Sequence, residues 1–275
     1  MPRLLCNDYK LFYSEWMPQS KAPSDEDATR SFPISDSTMP VLLLHGALGV
    51  GLNWPEPLRK SHRYRTLTVD LPGHGRAKLE NDQPAMNVVA DYARAIIEML
   101  DQAEVQKAHL VGHSMGGMIG QYLAIHHPER LHSMVLICSS AHPQFDARLV
   151  ADLLKPDKKD QALDLMNDLN YSEATSAEMR KRAREILGTV PWPVVVGDFE
   201  ACQSFDVRDS LESISIPTFV IAGASDRLIS PSDSQFIADS IPQATLSSIE
   251  AGHMVVVEKP QELSDMVHSF LDTDR

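Results

Sequence analysis

Short apolar runs recur along the chain, separated by longer segments of mixed polarity. Most of these runs do not alternate with polar residues, which is typical of parallel strands covered on both faces. The candidate strands are residues 41–44, 66–69, 108–111, 134–138, 218–222 and, more weakly, 245–249. Two further candidates, 3–6 and 10–16, flank the turn-forming pair Asn7-Asp8 and predict an N-terminal hairpin.

Helical patterns fill the intervals between most of these runs. Val88, Tyr92, Ile96 and Leu100 recur every four residues and predict a helix with one apolar stripe. Pro260 opens a last helical pattern, as proline favours the first position of a helix. Strands that alternate with helices predict an α/β fold with a doubly wound, mostly parallel sheet.

One interval breaks this alternation, because residues 142–215 contain no convincing strand pattern. Helical patterns occupy stretches 146–154, 159–169, 175–187 and 193–205 instead. We therefore predict two domains: an α/β core formed by 1–141 and 216–275, and a helical cap formed by 142–215. The cap should lie over the carboxyl edge of the sheet, where ligands bind in folds of this class. The polar segment 19–38 is expected to be an exposed loop.

Composition limits which binding partners and which cellular compartment we expect for the protein. With 275 residues, of which 43% are hydrophobic, the chain is long enough to bury a large core. A formal charge of −13 repels phosphate backbones and anionic bilayers, so we expect neither nucleic acid nor a membrane as a partner. The cysteines Cys6, Cys138 and Cys202 are widely spaced, and the first ten residues lack a signal-peptide pattern. These features predict a cytoplasmic protein, as a monomer or a homodimer.

The sharpest chemical signal is segment 112–117, GHSMGG, between the candidate strand 108–111 and an apolar helical pattern. A G-x-S-x-G sequence in this context is a nucleophile elbow, in which a strained turn raises the serine hydroxyl above the sheet. Glycines flank the serine because neighbouring backbone approaches too closely for a Cβ atom. A plain glycine-rich turn is the alternative, but the strand before and the helix after favour Ser114 as a nucleophile.

A serine nucleophile needs a base, and the base needs a third group to orient it. Asp226 directly follows the candidate strand 218–222, and His253 directly follows 245–249. Both therefore fall at the sheet edge that carries Ser114, in the order serine, acid, histidine that this elbow uses. Asp226 has a second interpretation as a turn or helix-cap residue. Asp233 is the weaker acid candidate because it lies inside the next helical pattern.

The other histidines have structural interpretations. His113 is the variable residue of the elbow and is expected to point away from the site. His74 is predicted to be a turn residue, and His45 to hold its own loop through hydrogen bonds. No H-E-x-x-H or other convincing ligand spacing is present, so we predict no metal and no cofactor.

Acyl transfer also requires donors for the oxyanion of the tetrahedral intermediate. The elbow supplies the Met115 N–H, and the loop after strand 41–44 supplies a second N–H. That loop, 45–51, reads HGALGVG, and we predict Ala47 as the donor, with Leu48 as the alternative. Its glycine spacing does not fit a dinucleotide fingerprint, and no G-K-[ST] follows.

Five segments in order carry a family resemblance: LHGA, DLPGHG, GHSMGG, GASDR and GH, beginning at residues 44, 70, 112, 223 and 252. With them the chain resembles the α/β-hydrolase family over 41–271, apart from the cap. It looks like the small, capped branch of carboxylesterases, lactonases, C–C bond hydrolases and cofactor-free perhydrolases. A serine in the elbow argues against the haloalkane dehalogenase and epoxide hydrolase branches. In some relatives the acid follows the strand equivalent to 134–138, but Ser139, Ser140 and Ala141 stand there in this chain.

These observations predict a serine hydrolase that cleaves small-molecule carboxylic esters of small to medium acyl groups. C–C bond hydrolysis, lactone opening, perhydrolysis and lyase chemistry with the same residues remain alternatives, as does a ligand receptor with slow turnover. The basic residues at 180–184 are expected to form a solvated helix face. Candidate pocket residues, each of which also fits core packing, are Leu48, Trp54, Met118, Phe145, Trp192, Phe199 and Met254.

Overall fold

The computed structural model describes residues 3–6, 9–18, 39–80, 83–153 and 155–273. Within them the chain forms one eight-stranded sheet in the order β1-β2-β4-β3-β5-β6-β7-β8. Strands β1 and β2 are antiparallel to each other, and β2 is antiparallel to β4, whereas all later neighbours are parallel. The strands are β1 Arg3–Cys6, β2 Tyr9–Trp16, β3 Val41–Leu44, β4 Thr66–Asp70, β5 Ala108–His113, β6 Leu131–Ile137, β7 Thr218–Gly223 and β8 Ala244–Ile249.

Helices flank the sheet, and four of them follow one another between β6 and β7. None of the described helices is long and apolar enough to cross a bilayer. The helices are α1 Glu56–Arg59, α2 Val89–Gln102, α3 Met115–His126, α4 Ala147–Leu153, α5 Lys159–Asn170, α6 Ala177–Leu187, α7 Trp192–Gln203, α8 Pro231–Ser240, α9 Val255–Glu258 and α10 Pro260–Thr273.

The predicted fold class, an α/β fold with a mostly parallel sheet, is confirmed. Strand β3 coincides with the predicted run, while β6 begins at Leu131, three residues before its predicted start at Met134. The hairpin strands β1 and β2 pair with Arg3 opposite Phe12. The predicted turn at Asn7-Asp8 and the predicted loop 19–38 lie outside the described residues.

Two apolar layers cover the faces of the sheet, because successive strand residues point to opposite sides. In β3, Leu42 and Leu44 pack into the layer that contains α2 and α3, whereas Val41 and Leu43 pack into the layer that contains α1 and α10. The stripe predicted for α2 is buried, except that Val88 precedes the helix and is 43% exposed.

A third apolar cluster joins the helices between β6 and β7, α4 to α7, to the rest of the described chain; we refer to these four helices as the cap. Its members from the helices between β6 and β7 include Leu149, Leu163 and Phe199, and they surround Leu48 from the loop after β3. The loop predicted to bind the oxyanion is thus packed on its outer side by the cap.

Candidate active site

The turn between β5 and α3 holds Ser114 in a strained conformation. Its φ of 53° and ψ of −118° lie in a region that non-glycine residues rarely adopt. The Ser114 N–H donates to Ile137 O at 2.9 Å, and the Ser139 hydroxyl donates to Ser114 O at 2.9 Å. The backbone N–H and the backbone carbonyl of Ser114 are thus both held by hydrogen bonds.

Close backbone contacts explain the glycines around this turn. A Cβ atom at Gly112 would lie 2.4 Å from Gly116 O, and one at Gly116 would lie 2.1 Å from Leu44 O. A Cβ atom at Gly46 would lie 2.9 Å from the Cβ of Ser114. The end of β3 and its following loop therefore press directly against the elbow.

A buried carboxylate–imidazole pair lies beside the elbow. His253 Nδ1 donates to Asp226 Oδ2 at 2.8 Å, and the side chains are 4% and 1% exposed. The other carboxylate oxygen accepts the N–H groups of Leu228 and Ile229, each at 2.9 Å. Because Nδ1 carries the proton in this bond, Nε2 of a neutral His253 is left free to accept one. Asp233, the weaker acid candidate, accepts the Ser140 hydroxyl at 2.6 Å instead.

His113 was expected to point away from the site, and this expectation is wrong. Its Nε2 donates to the carbonyl oxygen of His253 at 2.9 Å, and the two rings lie 5.0 Å apart. Burial and the nearby His253 lower the pKa of His113 to about 3, so the ring is neutral. The elbow motif does not specify this residue, so the sequence carried no signal for the contact.

Cys138 directly follows β6, has a φ of 48° and lies close to His113 and His253. Burial raises the pKa of its thiol well above the ordinary value, and Asp226 raises it further. Potential ligand atoms of His113, Cys138 and His253 come within 4.8 Å of one another. Hydrogen bonds already engage one nitrogen of each ring: His253 Nδ1 bonds the Asp226 carboxylate, and His113 Nε2 bonds a backbone carbonyl.

The loop 45–51 is held by its own histidine, as predicted from the sequence. His45 Nε2 accepts the Leu71 N–H at 3.1 Å, and Nδ1 donates to Gly46 O at 2.8 Å. Burial and the neighbouring His74 lower the pKa of His45 to about 4, which keeps it neutral. Leu48 has a φ of 59°, a left-handed conformation that costs about 1–2 kcal/mol for a residue with a side chain.

The candidate oxyanion donors Ala47, Leu48 and Met115 differ in whether their N–H groups already make a hydrogen bond. The Leu48 N–H donates to Asp198 Oδ2 at 2.7 Å, so it is already occupied. Within the part of the chain that the structure describes, the N–H groups of Ala47 and Met115 make no hydrogen bond. These two groups are free to bind an oxyanion.

A cavity of about 460 Å³ separates the elbow from the cap. Core residues on its wall include Ala47, Ser114 and His253, and cap residues include Met166, Met179 and Ile186. Ser114, His253 and Ala47 thus line one partly open cavity, which is of the size that small ligands occupy.

Of the seven predicted pocket residues, Leu48, Phe199 and Met254 line this cavity, and the other four do not. Trp54 packs against the far face of the sheet, and Met118 packs in the layer around α3. Phe145 lies with its ring 5.1 Å from that of Phe199. Trp192 packs in the cap cluster, with the Lys159 ammonium 6.0 Å from its ring centroid.

Comparison with known proteins agrees with the geometry. The family model for the alpha/beta hydrolase fold matches residues 39–260. The chain is 29% identical over 252 residues to 3-oxoadipate enol-lactonase 2 of Acinetobacter baylyi, covering 84% of this chain and 88% of that protein. It is 30% identical over 264 residues to the putative carbamate hydrolase RutD of Caulobacter sp. strain K31, covering 87% and 92%. A crystal structure of a hydrolase from Pseudomonas aeruginosa PA01 superposes with a TM-score of 0.81 at 28% identity, covering 98% and 97%.

The chain therefore belongs to the α/β-hydrolase fold family. The proteins to which it is similar are hydrolases, which supports an enzyme of the hydrolase type.

Proposed function

We propose that the protein is a serine hydrolase that cleaves carboxylic esters of small to medium acyl groups. Ser114 is the nucleophile, His253 the general base, and Asp226 the group that orients the base. The observation that carries this proposal is the buried bond of 2.8 Å between His253 and Asp226, at a cavity that Ser114 also lines.

In the first half of the reaction, Ser114 Oγ attacks the ester carbonyl carbon while its proton passes to His253 Nε2. Asp226 stabilises the imidazolium that forms. Collapse of the tetrahedral intermediate breaks the bond to the alkoxide, which leaves with the proton from His253. The acyl group then remains on Ser114 as an ester.

In the second half, water replaces the alcohol. His253 takes a proton from the water as its oxygen attacks the acyl carbon, and returns the proton to Ser114 when the acid departs. One ester and one water are consumed, one alcohol and one acid are released, and the enzyme is regenerated with both residues in their starting protonation states.

The oxyanion of each intermediate is bound by the N–H groups of Ala47 and Met115. Ala47 is preferred over Leu48 because the Leu48 N–H already donates to Asp198. Removal of one such donor costs on the order of 10²–10³ in turnover in other serine hydrolases.

Lactone opening is the second candidate, because the chain is 29% identical to an enol-lactonase over most of its length. A lactone is a cyclic ester, so the same attack and the same oxyanion site apply. The difference is that the leaving alkoxide stays attached to the acyl group. The cap side of the cavity decides between the two substrate shapes.

A fluorophosphonate probe and a series of p-nitrophenyl esters, from acetate to decanoate, test the proposal. We expect labelling at Ser114 and turnover that falls for the longest acyl groups, with both lost in Ser114→Ala. Turnover in Ser114→Ala should fall on the order of 10⁶-fold. Ser213→Ala, which removes an exposed hydroxyl outside the cavity lining, is the matched control and should label and turn over normally.

The remaining outcomes separate the alternatives. Labelling with turnover of γ- or δ-lactones but not of open-chain esters would favour the lactonase. Labelling without either turnover would favour C–C bond or perhydrolase chemistry, or a receptor. Absence of labelling in the folded protein would overturn the assignment of Ser114.

A further inference from the structure

Asp198 is a fully buried carboxylate that the proposed reaction does not use. It lies on α7, in the cap, and none of its surface is exposed. A carboxylate is buried at a high cost unless several donors replace its water. Asp198 receives three hydrogen bonds: from Leu48 N–H at 2.7 Å, from His74 Nε2 at 2.8 Å and from Tyr92 O–H at 2.7 Å.

His74 carries a positive charge by the geometry of its ring. Nε2 faces the Asp198 carboxylate, and Nδ1 faces Pro72 O at 3.0 Å. Both neighbours are oxygen acceptors, and only an imidazolium has a proton on each nitrogen to donate to them. A cation from the core thus compensates the buried charge of the cap.

The bond to Leu48 matters most because of where Leu48 stands in the loop. Leu48 follows Ala47, whose N–H is the proposed oxyanion donor, and its φ of 59° is strained. A strained conformation persists only where its surroundings hold it in place. Here Asp198 holds the Leu48 backbone, and the apolar cap cluster holds its side chain.

We infer that Asp198 is a positioning residue for the oxyanion site: from the cap, it fixes the orientation of the peptide between Ala47 and Leu48 and thereby, through the backbone of Ala47, the direction of the Ala47 N–H. This inference rests on the proposed function. It gives the cap a part in turnover as well as in substrate choice.

The test is Asp198→Ala, assayed for kcat, KM and the affinity of a phenylboronic acid. The boronic acid adds to Ser114 and forms a tetrahedral anion, so its affinity reports the oxyanion site. A misplacement of about 1 Å costs on the order of 10²-fold, and we expect that loss in kcat and in boronate affinity, with little change in KM.

Two further variants separate positioning from mere support of the fold. In Asp198→Asn, the amide oxygen can accept from both Leu48 and His74 while the amide NH₂ faces the Tyr92 hydroxyl, so most of the lost kcat should return. Cys202→Ala loosens the same helix one turn later, where Cys202 is buried against the core. It should lower the unfolding temperature without the selective loss of kcat and boronate affinity.

Should Asp198→Ala fail to fold, the double variant His74→Gln/Asp198→Ala removes the uncompensated cation and is compared with His74→Gln alone. Equal kcat and boronate affinity in Asp198→Ala and Cys202→Ala, or in the double variant and His74→Gln, would overturn the inference. A wild-type protein without ester turnover or boronate binding would instead overturn the proposed function.

Discussion

Helices α6 and α7 are neighbours along the cap and differ sharply in how they are held. Helix α7 buries seven residues, among them Val195, Asp198 and Phe199, whereas α6 buries none. Yet α6 supplies Met179 and Ile186 to the cavity wall. Helix α7 therefore contacts the loop 45–51 through Asp198, whereas α6 contributes mainly to the wall of the cavity.

The contacts of α6 fit this division. Arg180 and Arg184 pair with acids of α5, at 3.2 Å to Asp168 and 3.0 Å to Asp160. These arginines were expected to form a solvated face, but their side chains are only 22% and 23% exposed. Ion pairs at such a surface contribute on the order of 0.2–1 kcal/mol each, so these two pairs add little to the packing of α6.

The largest effect is expected from a change at the proposed catalytic residues. Asp226→Asn is expected to lower kcat by about 10⁴-fold, because the amide cannot support the imidazolium and stabilises the wrong tautomer. Asp233→Asn is the matched control, since this carboxylate is also near the carboxyl edge but receives Ser140 instead of a histidine. Steady-state kinetics on one ester decide the matter. A loss below tenfold in Asp226→Asn, or an equal loss in both, would contradict the assignment.

A pair of glycine substitutions tests the difference between the helices directly. In Gly197→Ala, the added Cβ on α7 would lie 2.5 Å from Met86 O, so the helix must move. Such overpacking should lower the free energy of unfolding by about 1–3 kcal/mol and reduce kcat. Gly188, at the end of α6, has a φ of −63° and its nearest contact at 3.3 Å. Gly188→Ala should be neutral or slightly stabilising.

Urea unfolding of both variants provides the measurement. Equal destabilisation by Gly197→Ala and Gly188→Ala would mean that α6 is seated as firmly as α7.

The contact between His74 of the core and Asp198 of α7 predicts that the stability of the fold depends on pH. Burial alone would lower the pKa of His74, but the charge and hydrogen bond of Asp198 outweigh burial and raise it. A group with a raised pKa in the folded state stabilises the fold fully below its unfolded pKa, about 6.5, and this contribution is lost as the pH rises through the folded value. His45, beside it, stays neutral throughout because its pKa is lowered to about 4.

We therefore expect the stability of the wild type relative to His74→Gln to decline as the pH rises from about 6.5, the unfolded pKa, through the raised folded value. Urea unfolding at each pH measures the difference. A difference that grows with pH would contradict the charged state of His74.

The smallest effect is expected from a change on the α6 side of the cavity. Ile186→Ala on α6 removes a side chain that is 59% exposed and lines the cavity. The free energy of unfolding should change by less than about 0.5 kcal/mol. KM for the longest accepted ester should rise roughly fourfold, the effect of about one buried methylene at about 0.8 kcal/mol. Phe236→Ala, an exposed apolar residue outside the cavity lining, is the control and should leave every KM unchanged.

What the sequence predicted depended on local pattern. The strand runs, the elbow around Ser114 and the residues Asp226 and His253 after their strands all follow from neighbours within a few positions. The bond between Leu48 and Asp198 joins residues 150 positions apart, and no local pattern encodes it. Trp54 was predicted as a pocket residue because it follows the loop, but the chain turns it under the sheet, where it is 2% exposed.

The position of Cys138 bears on which residues can act as the acid partner of His253. Cys138 directly follows β6, and its sulfur lies within 4.8 Å of a nitrogen of His253. An aspartate in place of Cys138 would bring a second carboxylate close to the imidazole that Asp226 already binds. Two carboxylates can share one histidine because one of them then stays protonated. The carboxyl edge of this sheet therefore offers two positions, after β6 and after β7, from which an acid could serve the same histidine.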